Sequence, residues 1–80
     1  MEIDKKDESI RILSHNILYL RKSSNITKKE MARILGIGIK TLNNVEQGIL
    51  PPRLSVEILF RIYKLFGVSI HLLLSEKLGD

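Results

Sequence analysis

Glycines divide the stretch from Ile26 to Gly48 into two short helical segments, and this division constrains the fold more than any other feature. Thr27 and Glu30 stand three residues apart as a T-x-x-E capping box, which predicts the start of the first helix. Gly36 stands where that helix must end, because a chain leaving a helix often takes a left-handed backbone angle that glycine adopts at little cost. The spacing therefore predicts two helices joined by a tight turn.

Apolar residues recur at helical spacing on both segments, at Met31, Ala32, Leu35, Leu42 and Val45. Ala32 is small where the two helices have to touch, and Leu42 folds back to close the pair. Two helices that cross at a wide angle through a short glycine turn form a helix-turn-helix, whose second helix can enter the major groove of DNA.

The pattern resembles the Cro and lambda-repressor-like (Xre-type) helix-turn-helix family of bacterial and phage regulators. The matching residues are Thr27-Lys28-Lys29-Glu30-Met31-Ala32, Leu35-Gly36-Ile37, Thr41-Leu42, Val45-Glu46-Gln47-Gly48, Pro52 through Ile62, Leu65-Phe66-Gly67-Val68-Ser69-Ile70 and Leu73-Leu74. The resemblance covers roughly residues 10 to 75. It implies an all-α fold, a compact bundle of five helices of the lambda-repressor-like DNA-binding kind, and a regulator of transcription, most simply a repressor.

The resemblance also implies which residues contact double-stranded DNA: Lys28, Ile39, Lys40, Thr41, Asn43, Asn44, Gln47 and Arg53. We expect helix 39–47 to enter the major groove. Asparagine suits adenine, because its amide can donate and accept together. Lys40 suits either guanine acceptors or a phosphate. Ile39 either contacts a thymine methyl group or packs back on Ile37.

Two positions depart from the family pattern. The first motif helix usually starts with glutamine, and here the residue is Lys28, which neutralises phosphate as a point charge without orienting it. The reading helix usually starts with a serine or threonine cap. Here the residue is Gly38, and glycine is tolerated at this position at little cost in stability. Both departures leave the fold intact and bear on the set of contacts.

A structural ion pair between Arg21 and Glu46 is a further implication of the resemblance. Such a pair would tie the first helix to the reading helix and hold its angle. The alternative is that both residues are independent surface charges. We favour the pair. Because charges lose hydration when they meet, its contribution to stability could be small, and its value would lie in positioning the reading helix.

Length and charge agree with one small DNA-binding domain. Eighty residues hold a single core. Residues 21–53 contain seven basic and two acidic side chains, for a net charge of +5, whereas the whole chain has +4. The excess therefore lies around the motif, where a phosphate backbone requires it. We expect residues 1–9 to form a mobile charged tail, with a cap at Asp7 or Ser9, and residues 10–78 to form the domain.

Three more helical patterns flank the motif. One begins near Ile10, another near Ser55 and the last near Ser69. The pattern after Ser55 has a wide apolar face, which we expect to bury against several helices. The last pattern carries more aliphatic residues than one side of a short helix can hide, so they either complete the core or form a two-fold contact with another copy. We favour a homodimer through this C-terminal helix.

Other functional classes find little support in the sequence. There is no cysteine, and His15 and His71 lie far apart, so we expect no metal, no cofactor and no enzyme; both histidines are expected to face solvent. No leader or membrane span is apparent, which favours a cytoplasmic, nucleoid-associated protein. The principal alternative is a protein-interaction module, such as an antitoxin subunit of a toxin–antitoxin pair, with or without DNA binding.

Overall fold

Five α-helices carry the fold in the computed structural model, which describes residues 3–49 and 56–79, with side chains from residue 8 onward. They are α1 (Ile3–Ser23), α2 (Lys28–Leu35), α3 (Ile39–Glu46), α4 (Val56–Phe66) and α5 (Ile70–Ser75). Within those ranges there is no strand, and no described helix combines the length and apolarity that crossing a membrane requires. The predicted all-α bundle of five helices is confirmed.

The first helix begins earlier than the apolar pattern indicates. The repeat starts at Ile10, but α1 starts at Ile3, so the predicted helix boundary is wrong by about two turns. Asp7 and Ser9 lie inside the helix, and neither caps its start. Apolar periodicity reports burial, whereas lysine and glutamate form a solvated helix without it. Met1 and Glu2 lie outside the described residues, and the mobility expected of residues 1–9 stays a prediction.

One core joins all five helices, because each contributes at least one side chain that is almost completely buried. These side chains are Leu13 and Ile17 of α1, Met31 of α2, Leu42 of α3, Ile62 of α4 and Leu73 of α5. Burying an aliphatic side chain of this size stabilises the fold by about 1.5–3 kcal/mol. α1 packs against α3 and α5, and α2 packs against α3 and α4. The two motif helices are therefore held from both sides.

A buried asparagine joins α1 to the C-terminal segment, a feature that the sequence did not reveal. Asn16 has no exposed surface. Its Nδ2 donates to the carbonyl oxygens of Leu73 and Glu76, each at 2.8 Å, and its Oδ1 accepts from the backbone amide of Leu78 at 2.8 Å. His15, expected to face solvent, is half-buried, with its Nε2 at 3.1 Å from the Leu78 carbonyl oxygen. His71 is exposed as expected.

The last two helices distribute their apolar residues differently from the expected pattern. On α5, Leu73 is buried and Leu74 is half-buried, so two of its four aliphatic residues complete the core, while Leu72 stays exposed. On α4, the wide apolar face expected to be buried is only partly covered. Ile58 and Ile62 face the core, whereas other apolar side chains of α4 point to solvent. Ser55, the predicted cap of this helix, lies outside the described residues.

We predict that Asn16→Ala lowers the free energy of unfolding by about 3 kcal/mol, because one buried and two part-buried backbone groups lose their partner at about 1 kcal/mol each. Urea denaturation followed by circular dichroism measures the change. Asn44→Ala is the matched control: the same substitution at an exposed helix position should cost less than about 0.5 kcal/mol. Equal effects of the two substitutions would contradict the role of the Asn16 hydrogen bonds in holding α1 to the C-terminal segment.

Candidate nucleic-acid interface

The turn between α2 and α3 depends on the backbone of Gly36. This residue has φ 74°, in the left-handed region. Its amide donates to the Arg33 carbonyl oxygen at 3.1 Å, and the amide of Ile37 donates to the Ala32 carbonyl oxygen at 2.9 Å. These two bonds form a Schellman motif and satisfy carbonyls that the helix end would leave unpaired. A Cβ here would lie 2.7 Å from Nη1 of Arg61, but this is the end of a flexible side chain that can move, so it is the backbone angle that favours glycine.

At the start of α2, only one of the two hydrogen bonds of the predicted capping box is formed. Thr27 Oγ1 accepts a hydrogen bond from the Glu30 amide at 3.1 Å. The Glu30 carboxylate instead accepts from Arg33 Nη2 at 2.7 Å, an exposed pair one turn along the helix. Lys28, the first residue of α2, is exposed at this helix start. An anion approaching this end would therefore meet an exposed lysine.

Glycines also bound the reading helix, α3. Gly38 occupies the cap position without a side-chain hydrogen bond, as its lack of a side chain dictates. Gly48, at φ 90°, follows the last turn. The amide of Ile49 then donates to the Asn44 carbonyl oxygen at 2.8 Å, and the Gly48 amide donates to the Val45 carbonyl oxygen at 3.0 Å. The chain thus leaves α3 by the same motif that ends α2.

The buried face of α3 determines which side chains it presents to solvent. Leu42 and Val45 are buried in the core. Four side chains on or just after α3 are exposed, and we call them the reading face: Ile39, Lys40, Asn44 and Gln47. Each of them is among the predicted DNA-contacting residues. Three of the four are polar or charged, so this face is able to hydrogen-bond a partner.

Two of the predicted α3 contacts lie at the margin of the reading face. Thr41 and Asn43 are half-buried. The Oδ1 atom of Asn43 is buried and has no hydrogen-bond partner among the described residues. Their side chains are therefore less available than those of Asn44 and Lys40. Arg53, the remaining predicted contact, lies outside the described residues.

An ion pair between Arg21 and Glu46 joins the end of α1 to the last residue of α3. Arg21 Nε donates to Glu46 Oε2 at 2.6 Å, and Nη2 donates to Oε1 at 3.3 Å. The side chains are only 12% and 6% exposed. The guanidinium also donates from Nη1 to the Ile26 carbonyl oxygen at 3.4 Å. This forked geometry fixes the direction of both side chains, which a single contact would not do.

A groove of about 650 Å³ runs from the start of α2 to the start of α3. It is lined by Thr27, Lys29, Glu30, Ala32, Arg33, Ile37, Gly38 and Ile39. Lys29 and Arg33 were absent from the predicted contacts, although both belong to the basic segment of the sequence. Their positive charge was the available signal, but only the fold shows that they lie beside the start of the reading helix.

The electrostatics of this surface follow from how its acidic residues are engaged. Both acidic side chains of residues 21–49 are paired: Glu46 with Arg21 inside the fold and Glu30 with Arg33 on the surface. Lys28 and Lys40 remain exposed. In the part of the chain that the structure describes, no group of three His, Cys, Asp or Glu side chains could hold a metal ion. The surface is thus suited to a polyanion.

Comparison with known proteins agrees with this geometry. Residues 17–73 match the model of a family described as helix-turn-helix. The chain is also similar to an uncharacterized HTH-type transcriptional regulator from Methanocaldococcus jannaschii, with 33% identity over 58 residues, which cover 72% of this chain and 85% of that protein. No solved structure matches the chain.

We predict that Arg21→Met lowers the free energy of unfolding by about 3 kcal/mol, because it leaves the Glu46 carboxylate buried without its partner. The double variant Arg21→Met/Glu46→Leu should recover most of that loss, since no charge is then left buried. Urea denaturation of the two variants measures both effects.

Arg33→Met is the matched control for the single variant. It breaks the exposed pair with Glu30 and should cost less than about 0.5 kcal/mol. If Arg21→Met costs no more than Arg33→Met, the buried pair does not hold α1 to α3.

Proposed function

Because the chain belongs to the Xre-type, lambda-repressor-like helix-turn-helix family, we propose that it binds specific sites on double-stranded DNA and represses transcription. α3 enters the major groove in this proposal. The observation that carries it is the reading face: four predicted contact residues are exposed on or just after α3, while Leu42 and Val45 are buried in the core.

Affinity comes from basic side chains around α3. Lys28 and Lys40 contact phosphates on either side of the DNA major groove, and Arg53 adds a third contact from the connection after α3. Lys29 and Arg33 line the protein's own groove between the starts of α2 and α3, and they extend the same positive surface. These contacts set the register of the protein on the duplex but carry no sequence information directly.

Sequence choice comes from the reading face. Asn44 and Gln47 have amides that pair with the donor and acceptor of adenine. Ile39 is 45% exposed, which favours contact with a thymine methyl group over packing on Ile37. Thr41 and Asn43 take part at the margin of this face. Sites rich in A·T pairs at the centre of each half-site are the expected targets.

A homodimer suits this function, because two reading helices about 34 Å apart fall on one face of the duplex. Pairing through the C-terminal helix would rely mainly on Leu72, the one α5 side chain among the large exposed hydrophobic residues described. The proposal includes a cytoplasmic, nucleoid-associated location. It assigns no cofactor and no catalytic group, and the absence of enzymatic activity stays a prediction.

The dependence of binding on salt tests whether DNA is the partner. A protein that neutralises about five phosphates should lose affinity with a log–log slope near −4 to −5. Lys28→Ala should weaken binding to all duplexes alike and reduce the slope by about one. Fluorescence anisotropy with a labelled duplex measures both quantities. Lys77→Ala, an exposed lysine far along the chain from the motif, is the matched control and should change neither.

Asn44→Ala should affect specificity rather than general affinity. Once a preferred site has been selected from a random DNA pool, this variant should lose about 1–3 kcal/mol of discrimination against a duplex altered at one base pair. Binding to unrelated duplexes should stay unchanged. Unchanged discrimination in Asn44→Ala would show that the reading face has been misplaced. A chain that binds no duplex at low salt would favour the protein-interaction alternative, such as an antitoxin.

A further inference from the structure

α4 leaves a stripe of apolar side chains uncovered on the side away from the core. We call this set the α4 stripe: Val56, Phe60 and Tyr63, which are 72%, 49% and 48% exposed. Their spacing of four and three residues places them along one face of the helix. The core face of α4, formed by Ile58 and Ile62, lies on the opposite side. A helix that exposes apolar side chains in one line has a surface suited to a protein partner.

The two aromatic side chains of the stripe lie close to each other and to a lysine. The Phe60 and Tyr63 ring centroids lie 6.2 Å apart, with an interplanar angle of 30°. The Lys64 ammonium group lies 5.6 Å from the Phe60 ring centroid. Aromatic side chains are enriched at the centres of protein interfaces, because they bury much area at low cost in conformational entropy. The stripe therefore has the chemistry of an interface centre.

The charges beside the stripe indicate which partner covers it. Glu57 and Lys64 are seven residues apart, almost two full turns, so they flank the stripe on the same side. In an antiparallel pair of helices related by a two-fold axis, like sides meet and the chain direction reverses. With the axis between Phe60 and Arg61, Glu57 of each copy faces Lys64 of the other. In a parallel pair related by a two-fold axis along the helices, this side of the two copies would lie on opposite edges of the contact, so Glu57 and Lys64 would not face each other.

From this complementarity we infer that a second copy of the chain covers the α4 stripe in an antiparallel, two-fold contact. Arg61 lies near the axis, but its guanidinium is directed away from the stripe. It donates from Nη1 to the Ile34 carbonyl oxygen of α2 at 3.4 Å and from Nη2 to Glu57 Oε2 at 3.0 Å. The two copies of Arg61 are thereby held apart, and Glu57 retains a free oxygen for the partner.

The α4 stripe offers more surface for pairing than the C-terminal helix. Of the large exposed hydrophobic residues in the described part of the chain, the α4 stripe contains Val56, Phe60 and Tyr63, whereas α5 carries Leu72 alone. A stripe of three side chains still buries less than the roughly 800 Å² per partner of a standard stable interface. The dimer is therefore weak and depends on concentration.

Sedimentation equilibrium of the full chain without DNA tests the contact. Between roughly micromolar and millimolar concentration, the mass should shift reversibly from monomer to dimer. Phe60→Ala should raise the dissociation constant about tenfold or more. Leu65→Ala, a similarly exposed residue of α4 outside the stripe, is the control and should leave it unchanged. A chain that stays monomeric, or a dimer weakened by Leu72→Ala and not by Phe60→Ala, would overturn the inference.

Charge exchange tests the antiparallel register. Glu57→Lys and Lys64→Glu should each weaken the dimer, whereas the double variant should restore it, because opposite charges face each other again. A double variant as weak as either single variant would contradict the antiparallel pairing. Circular dichroism confirms that each variant keeps its helices. Since these measurements contain no DNA, their failure would leave the proposed DNA binding standing, and a failure of DNA binding would not affect them.

Discussion

The buried ion pair between Arg21 and Glu46 is the contact on which the orientation of the reading helix depends. One guanidinium joins the last turn of α1, the Ile26 carbonyl oxygen of the following turn and the last residue of α3. Leu42 and Val45 bury one side of α3, but apolar packing is non-directional and leaves its angle less defined. A forked pair between two side chains that are almost buried defines that angle. Its contribution is geometric, because the cost of desolvating two charges offsets much of their attraction.

Contacts elsewhere in the chain also help to fix the position of α3. α1 anchors the pair, and the three hydrogen bonds of Asn16 hold α1 to the C-terminal segment. Gly36 sets the corner between α2 and α3, and Gly48 directs the chain away from the end of α3. Together these contacts leave one side of α3 facing solvent, beside a surface whose acidic side chains are already paired. The small core thus presents a short helix in a fixed direction.

The sequence predicted the helix-turn-helix well, because its signals are local. The Thr27 cap, the left-handed Gly36 and the buried Leu42 each follow from a few neighbouring residues. The ion pair came only from family resemblance, since no spacing rule joins residues 25 positions apart. Asn16 was missed because a polar residue on an apolar stripe gains partners only in the folded chain. The uncovered side of α4 was also missed: a wide apolar face does not reveal how many neighbours will cover it.

A titration of the ¹⁵N-labelled chain with a duplex that carries its selected site tests most directly whether the exposed side of α3 contacts DNA. We expect the largest amide shift changes at the starts of α2 and α3 and along the reading face, at Lys28, Ile39, Lys40, Asn44 and Gln47. Shift changes confined to α4 and α5, with α3 unaffected, would contradict it.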